Sequence, residues 1–586
     1  MAGWHDDGAR GLVVFVRGLP QGERGNRRGG GSQSFAQLIS RLKGDLGDSW
    51  RVEVYDHGQK ATSRADLDGI VRDLAAHIRG WAGEISEGVE PPARIILIGH
   101  SFGGVLARAA FVLDANDPRS LNGRRWTRMV DRIVLLGSPN AGFRLDTRYT
   151  PLAWKIAWYL TTPFVDFTIE KVVVGGYWIT NLRLRWLETF RRLARDAEAG
   201  DASRPPTVVQ VLGTRDDLVE REDILDTRYM GDTIVVEIPG ATHLGLIDLS
   251  IAADPDLRWE QLRGAILGRA DEVASPPTPL SSAPTYFVLH GIRASAYEDW
   301  GRDLEAAIRR AEGDQNEVQV VRPDTGYFSA IEFALPFTRR RKIHEFLKLY
   351  GDAYASTEPD RFRFAGHSNG TYMMAHALDR IPAMHFERIY LAGTVLPRNY
   401  AWGDVVDRGQ LAGRDTSSVR VRTDRATADV PVGILCSWLR GLGSRDIGTA
   451  GVDGFEFAPD LVRDGGLIRG GHGAAFIPPP APKEATKTLG ATATGVDPPD
   501  NPNIESIAGF LVRGDAGTPG NAAEHPLFRF LSRFVGNPVV AWTVAGGLAV
   551  GACVGFVALM GLIGRTRATM LAGGALSAIW AVLRTI

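Results

Sequence analysis

The sequence has few cysteines and no excess of charge. Cys436 and Cys553 are the two cysteines among 586 residues, so the chain has no disulfide framework and no thiolate metal site. Lysine and arginine number 67 and aspartate and glutamate number 68, so the chain lacks the basic field that favours nucleic acid. We therefore expect no nucleic-acid partner, no metal and no organic cofactor.

The N-terminal residues also lack the pattern of a signal peptide, so we expect no secretion by a cleaved signal. Residues 1–16 pass directly into the strand-like run LVVFV, without the charged and then apolar pattern of a secretory signal. We expect the protein to be attached to a membrane by its C-terminal segment, with the folded domains on the cytoplasmic side.

Long uncharged apolar runs are confined to the C-terminus. Residues 538–564 carry no charge, and this run is longer than the roughly 20 residues that a helix needs to cross a bilayer. The pattern predicts a transmembrane helix over 538–564. A second apolar stretch, 568–583, fits a short returning span, a re-entrant segment or an interfacial helix equally.

Composition shifts divide the rest of the chain. Residues 273–284 (VASPPTPLSSAP) are rich in proline and serine and predict a linker between two domains, 1–272 and 285–514. Residues 515–537 are predicted to be a tether to the membrane segment 538–586.

Apolar strands alternate with helical patterns in both domains. Each domain opens with a strand that runs into a glycine, at 14–18 and at 287–291. A further strand follows later in each, at 131–138 and at 387–394. Such alternation is typical of βαβ units, so the predicted class is α/β, with a mostly parallel sheet flanked by helices in each domain.

A five-residue motif occurs once in each domain. Residues 99–103 (GHSFG) correspond to 366–370 (GHSNG), and each copy stands between an apolar strand and a helical run. The pattern G-x-S-x-G is typical of a sharp strand-to-helix turn that raises a serine hydroxyl above the sheet. Ser101 and Ser368 are therefore the candidate nucleophiles.

A serine of this kind needs a histidine as base and a carboxylate to orient it, in the chain order serine, acid, histidine. In the first domain Asp216 follows a strand that ends in Gly213, and His243 follows the next strand. We assign Asp216 as the acid and His243 as the base. Asp217 is the alternative acid, because a shift of one residue in the loop exchanges the directions in which the side chains of Asp216 and Asp217 point.

The second domain offers the same order of residues. His472 is the candidate base and Asp429 the preferred acid, with Asp424 and Asp446 as alternatives. Asp429 is preferred because both domains then share the pattern D-x-x-V after the acid strand, at 216–219 and at 429–432.

The oxyanion of such a reaction needs preorganised N–H donors. They come from the residue after the nucleophile and from the loop after the first strand. These backbone positions are Phe102 with Leu19 in the first domain, and Asn369 with Ile292 in the second.

These motifs resemble the α/β-hydrolase superfamily, present as two fused copies over roughly residues 10–270 and 284–514. The segments 99–104 and 137–142 make the first copy similar to bacterial triacylglycerol lipases and GPI inositol-deacylase-like serine esterases. The resemblance implies hydrolysis of esters, with acyl lipids as the substrate class. The second copy resembles less characterised hydrolases, and its substrate has no support from the sequence.

The sequence thus predicts a membrane-tethered serine hydrolase that cleaves carboxylic esters through a Ser-His-Asp triad and an acyl-enzyme. One alternative is an acyltransferase or thioesterase with the same triad. The other is a membrane-anchored interaction protein in which one or both domains are catalytically inactive.

Two further features concern the substrate and the membrane segment. The insertion 144–190 is rich in aromatic residues and fits either a lid over a lipid site or a subdomain that caps the core. Gly547, Gly551 and Gly555 share one face of the predicted span, which favours a homo-oligomer, although glycine is common in membrane helices.

Overall fold

The chain divides into two compact units, each built on one parallel sheet. The structure, a computed structural model, describes residues 10–19, 30–59, 66–86, 93–118, 125–143, 171–200, 205–216, 219, 233–268, 279–291, 298–313, 316–323, 330–334, 336–411, 419–457, 459–476, 502–515, 517 and 520–563. The first unit comprises Met1–Ser281 with Tyr350–Ser356, and the second comprises Ser282–Leu349 with Thr357–Ile586.

The sheet of the first unit has six strands. They are β1 (Gly11–Val16), β2 (Trp50–Tyr55), β3 (Arg94–His100), β4 (Val130–Leu136), β5 (Thr207–Gly213) and β6 (Thr233–Ile238). They lie in the order β2-β1-β3-β4-β5-β6, and every neighbouring pair is parallel. From β1 the chain passes to β2 on one side and then to β3 on the other, so the direction of strand addition reverses between β1 and β3. Ligands of open α/β sheets bind at the carboxyl ends of the strands beside such a point.

The sheet of the second unit repeats this order. Its strands are β7 (Thr285–Leu289), β8 (Gln319–Val321), β9 (Phe362–His367), β10 (Arg388–Ala392), β11 (Val421–Ala426), β12 (Val462–Ile468) and β13 (Gly520–Asn521). From the β8 edge they lie in the order β8-β7-β9-β10-β11-β12-β13, all parallel. The first six strands therefore correspond one by one to β2, β1, β3, β4, β5 and β6 of the first unit.

Helices connect the strands of both sheets. They are α1 (Gly30–Leu46), α2 (Leu67–Ser86), α3 (Phe102–Ala115), α4 (Tyr177–Glu198), α5 (Pro255–Leu267), α6 (Glu298–Glu312), α7 (Ala330–Ala334), α8 (Pro336–Ser356), α9 (Asn369–Arg380), α10 (Trp402–Asp407), α11 (Ser437–Gly441), α12 (Ala450–Asp453), α13 (Pro502–Arg513), α14 (Pro526–Val535) and α15 (Pro538–Ile563). A π-helical turn, Pro431–Cys436, precedes α11 directly.

Both sheets are buried on their two faces. Strand β1 reads GLVVFV and is buried at every position, which is the composition of a parallel strand covered by helices on both sides. In the first unit Val13 and Phe15 of β1 pack in one core cluster with Leu38 of α1 and Trp259 of α5. In the second unit Val288 of β7 packs in a corresponding cluster with helices α6 and α13. The carboxyl ends of the strands are thus held on a rigid base.

The segment 515–537 differs from the predicted flexible tether. It contains β13, which pairs with β12 and extends the second sheet, and helix α14, which packs on α11 and on the π-helical turn. A strand of two residues leaves no alternation in the sequence, so β13 had no recognisable pattern. The described part of this segment therefore belongs to the second unit.

Helix α15 is long and apolar enough to cross a membrane by its length and composition. Only 6% of the stretch Pro538–Gly555 is buried, whereas a core helix of a soluble protein is mostly buried. The second predicted apolar stretch, 568–583, and residues 273–278 of the predicted linker lie outside the described residues.

Candidate active site

The two candidate nucleophiles occupy the same strained turn. Ser101 lies between β3 and α3 with φ 53° and ψ −125°, and Ser368 lies between β9 and α9 with φ 55° and ψ −123°. Among the described residues, these two serines are the non-glycine residues with positive φ. A residue in so sparsely populated a region costs about 1–3 kcal/mol and persists only where its surroundings enforce it.

The glycines of each motif make this turn possible. A Cβ on Gly103 would collide with the carbonyl oxygen of Val16, and one on Gly370 would lie 2.6 Å from the carbonyl oxygen of Leu289. The helix after each serine therefore packs directly on the end of the first strand of its unit. Only glycine permits that approach, which accounts for the last position of G-x-S-x-G.

The candidate acid and the candidate base of the first unit are paired. The Nδ1 atom of His243 lies 2.9 Å from Oδ2 of Asp216 and 3.1 Å from its Oδ1, and both side chains are buried. The N–H of Val219 donates to Oδ1 of Asp216 at 3.1 Å. This backbone bond fixes the carboxylate toward the histidine, and the valine side chain is buried against Leu212. The alternative acid, Asp217, lies outside the described residues.

The second unit has the same arrangement. Nδ1 of His472 lies 2.8 Å from Oδ2 and 2.9 Å from Oδ1 of Asp429, whose side chain is fully buried. The N–H of Val432 donates to Oδ1 of Asp429 at 3.0 Å, as Val219 does to Asp216.

Both alternative acids of the second unit are bonded elsewhere. Asp424 accepts hydrogen bonds from the Tyr390 hydroxyl at 2.9 Å and from the Arg422 guanidinium. Asp446 pairs with Arg339 at 3.0 Å and also accepts the hydroxyl of Tyr372. Of the three candidate carboxylates, Asp429 is therefore the one that the structure brings to His472.

Residues 13–256 match the alpha/beta hydrolase family. The first unit has the α/β-hydrolase fold. No curated protein sequence matches the chain at a significant level.

Several solved hydrolases are similar in structure. Phospholipase PlaB from Legionella pneumophila, in complex with thio-NAD, is 13% identical over 48% of this chain and 70% of its own, with a TM-score of 0.29. Peroxisomal hydrolase Lpx1 from Saccharomyces cerevisiae is 14% identical over 52% and 86%, with a TM-score of 0.28. The Pyrococcus furiosus esterase PF2001 is 14% identical over 44% and 84%, with a TM-score of 0.26. Likeness at these identities and TM-scores specifies neither a substrate nor a role for this chain.

A glycine after the fourth strand of each unit leaves room for the histidine–aspartate pair. Gly137 has φ 53°, and a Cβ there would lie 3.0 Å from Oδ2 of Asp216 and 3.2 Å from Nδ1 of His243. Gly393 has φ 50°, and its Cβ would lie 2.9 Å from the ring of His472. A side chain at either position would displace the histidine from its carboxylate.

The histidine inside each motif was not assigned a role from the sequence, although its repetition before both serines was a signal. Nε2 of His100 lies 3.1 Å from the carbonyl oxygen of His243, and Nε2 of His367 lies 3.0 Å from that of His472. The paired rings also pack together, with centroids 4.8 Å and 4.4 Å apart. Because a carbonyl only accepts, each Nε2 carries the proton and donates it. Each motif histidine thus ties the serine turn to the loop of the base.

Burial keeps both motif histidines neutral. Desolvation, with a smaller repulsion from His243, lowers the pKa of His100 from 6.5 to about 3. The same causes, with His472 as the neighbour, hold the pKa of His367 well below its ordinary value. Each ring is therefore uncharged at neutral pH and carries its single proton on Nε2, from which it donates to the carbonyl.

This shift predicts a loss of stability in acid. Between pH 6.5 and pH 3 the unfolded chain binds a proton at His100 that the folded chain does not bind, so stability falls as the pH falls. For this group alone the loss from pH 7 to pH 5 is about 2 kcal/mol. In the variant His100→Gln, whose amide can still donate to the His243 carbonyl, the drop in Tm between pH 7 and pH 5 should be smaller. The other histidines are common to both proteins, so equal drops would contradict the assignment.

The backbone donors predicted for the oxyanion lie beside the serines. Phe102 and Asn369 are the first residues of α3 and α9, and N–H groups in a first helical turn have no acceptor within the helix. Leu19 follows Gly18, whose Cβ would lie 2.9 Å from Cβ of Ser101. The loop after β1 therefore lies against the serine turn. The corresponding Ile292 of the second unit falls among the residues that the structure leaves undescribed.

The loop after the first strand is held differently in the two units. In the first, Arg17 forms an ion pair with Asp56 at 2.6 Å, and Nε2 of the buried His57 donates to the Arg17 carbonyl at 3.1 Å. In the second, His290 takes the place of Arg17 and packs on Trp300 with ring centroids 4.6 Å apart. Burial lowers the pKa of His290 to about 4, so its ring is neutral.

The described part of the insertion 144–190 packs on the core. Trp186 and Phe190 of α4 are buried, with ring centroids 4.4 Å apart, and both contact Phe111 of α3. This part of the insertion caps the helical layer. Residues 144–170, which include most of its aromatic side chains, are not described. Within the described ranges, no group of three His, Cys, Asp or Glu side chains is arranged to hold a metal ion.

Proposed function

We propose that the chain is a serine hydrolase that cleaves carboxylic esters, with one catalytic site in each unit. The observation that carries this proposal is the combination found in both units: a serine in a strained strand-to-helix turn, and a buried histidine–aspartate pair tied to that turn through the motif histidine. Strain of this kind is typical of functional sites, since packing alone gains nothing from it.

The first half of the proposed reaction forms an acyl-enzyme. Oγ of Ser101 attacks the ester carbonyl carbon, and Nε2 of His243 takes the serine proton. This Nε2 is buried and has no hydrogen-bond partner within the described residues, so its bond to Oγ of Ser101 is not formed in the structure and the transfer requires the two side chains to approach. The C–O bond to the alcohol then breaks, and the alcohol leaves with the proton that His243 carried.

The second half of the proposed reaction releases the carboxylic acid product. Water attacks the acyl carbon, His243 takes a proton from it, and the carboxylic acid leaves as the proton returns to Oγ of Ser101. Asp216 holds the Nδ1–H tautomer of the histidine and stabilises its charged form. The N–H groups of Phe102 and Leu19 stabilise the oxyanion, and one such donor is worth about 2.7–4 kcal/mol in related sites.

In the second unit Ser368, His472 and Asp429 take the same roles, with Asn369 and Ile292 as the oxyanion donors. The shared strand order of the two sheets supports an origin by duplication of one hydrolase domain. Acyl lipids are the proposed substrate class, because the second unit continues into an apolar helix long enough to enter a bilayer.

Helix α15 is the proposed membrane anchor. Many of its described apolar side chains are exposed, among them Val539 by 75% and Trp542 by 62%, whereas Ala541 is buried. Such a surface is unfavourable in water and favourable in lipid.

One face of α15 is proposed to bind a second copy of the chain. A Cβ added at Gly547, Gly551 or Gly555 would meet nothing within 4 Å, so this glycine face is exposed. Small residues allow close approach of two helices in lipid. The variant Gly551→Ile should weaken a detergent-stable oligomer while the protein stays in the membrane fraction. An unchanged oligomer would exclude this face as the interface.

A fluorophosphonate probe, which labels activated serines, tests the proposed function. On the full-length chain, peptide mapping should find the probe on Ser101 and on Ser368. Labelling of one serine alone, in a chain whose two units are both folded, would make the other unit a scaffold. Labelling of neither would favour a binding protein over an enzyme.

A further inference from the structure

Helix α14 carries three distinct stripes of side chains. Leu527, Phe530, Leu531 and Phe534 recur at the spacing of one helical face and are exposed by 41–64%. Phe528 and Ser532 form a second stripe, which is buried. Arg529 and Arg533, one turn apart, form the third.

The buried stripe fixes how α14 sits on the second unit. The ring of Phe528 covers Gly433, where a Cβ would lie 2.5 Å from the ring, and the hydroxyls of Ser532 and Ser437 lie 3.0 Å apart. Gly433 and Ser437 belong to the π-helical turn and to α11, the segment that begins two residues after Asp429. The apolar stripe therefore faces outward from the loop that carries the candidate acid.

We propose that this apolar stripe lies in the surface of a phospholipid bilayer, so that the second catalytic site is held against the membrane. The proposal rests on the membrane anchor proposed above. Helix α15 begins three residues after α14 ends, and Trp438 of α11 donates its indole N–H to the carbonyl of Ala541 in α15 at 3.3 Å. The unit is thus joined closely to the first turn of the anchor, and the stripe cannot lie far from the bilayer that the anchor enters.

Charge beside the stripe favours phospholipid as the occupant. Arg533 lines a cavity of about 260 Å³ together with Arg398, Arg440, Asp453 and Glu456. Its two acids are already paired, Asp453 with Arg529 at 3.2 Å and Glu456 with Arg398 at 3.3 Å. Within the part of the chain that the structure describes, Arg440 and Arg533 form no ion pair, so their positive charges are available to an anion. A helix with an apolar face flanked by arginine is typical of the membrane interface.

The proposal also gives the second site a source of substrate. An interfacial helix sits about 5–10 Å deep, at the boundary of headgroups and acyl chains, where the ester bonds of a phospholipid lie. Helix α14 packs on the turn that begins two residues after Asp429, so the loop that carries the candidate acid lies next to the helix proposed to contact these bonds.

Site-specific fluorescence in vesicles tests the proposal on the full-length chain. In a Cys553→Ser background, which leaves only the buried Cys436, a polarity-sensitive fluorophore is placed by Phe530→Cys, and by Leu527→Cys as a second reporter of the stripe. Val550→Cys reports the anchor. Glu358→Cys is the control. Glu358 is exposed and precedes the amino end of β9, whereas the candidate nucleophile follows the carboxyl end of the same strand.

The fluorophores at 530 and 527 should be quenched by phospholipids brominated near the headgroup end of the acyl chain, the one at 550 by bromines near the chain end, and the control by neither. Quenching at 550 without quenching at 530 or 527 would overturn the proposal and leave the anchor intact. Absence of quenching at all three would overturn both. A blue-shifted but unquenched fluorophore at 530 would show that protein covers the stripe, which also overturns the proposal. No outcome depends on ester hydrolysis.

Discussion

Replacing Ser101 by alanine is expected to lower ester hydrolysis by the first unit about a million-fold, the loss seen when a nucleophile is removed from such a catalytic unit. The substitution removes one oxygen atom and leaves the motif glycines and the His100 bond to His243 in place. The substitution also removes no contact on which the packing of the described core depends. The expected loss is therefore in turnover, with little change in Tm.

The measurement uses the full-length chain in a Ser368→Ala background, so that hydrolysis by the second unit does not contribute. Ser86→Ala is the matched control. Its hydroxyl donates to the Ala82 carbonyl within α2 and lies 3.8 Å from the sulfur of Met129, which precedes β4 at the opposite end of the strands from the serine turn. Hydrolysis that survives Ser101→Ala at the control's rate would remove this serine from the mechanism.

Replacing Asp429 by asparagine is expected to lower hydrolysis by the second unit about ten-thousand-fold, as the corresponding change does in a serine protease. The asparagine keeps the shape of the side chain and an oxygen for the Val432 N–H. Its amide then faces Nδ1 of His472 and favours the wrong tautomer, so Nε2 loses the lone pair that accepts the serine proton. The rate is measured in a Ser101→Ala background.

Asp424→Asn supplies the contrasting variant. Asp424 pairs with the buried Arg422 at 2.9 Å, and removal of one partner from a buried ion pair costs about 3–5 kcal/mol of stability. This variant should therefore lose Tm and keep its activity per folded molecule, whereas Asp429→Asn should do the reverse. The opposite ranking would assign the acid to Asp424 and reduce Asp429 to a structural role.

Local sequence patterns carry the class of the fold and the serine turns. Uninterrupted apolar strands such as Leu12–Val16 can only lie between two layers, which indicates a parallel sheet with helices on both faces. Each serine turn needs glycines within a few residues of the serine, and the segments 99–103 and 366–370 supply them. The turn is therefore determined by consecutive residues. Both features are short-range, and both are found in the structure.

The extent of the second unit was less predictable. The segment 515–537 has little apolar periodicity before residue 526, so it read as a tether. Its place in the unit depends on contacts with distant residues: Gly520 pairs with Gly466, and Phe528 packs on Gly433. A pattern confined to neighbours in sequence cannot report such contacts.

The sequence by itself determined that the chain has two α/β units with parallel sheets and a serine turn in each. It also limited the candidate acids and bases to a few residues. Only the tertiary structure decided which carboxylate meets which histidine. Asp429 reaches His472 because β11 and β12 are neighbours in the sheet, while Asp424, five residues earlier, lies inside β11 and faces Tyr390 and Arg422. The tertiary structure also assigned His100 and His367, whose partners are carbonyls far along the chain. The physical reason is that a turn is fixed by steric limits on adjacent residues, whereas a buried hydrogen bond depends on strand order and burial, which the whole chain sets together.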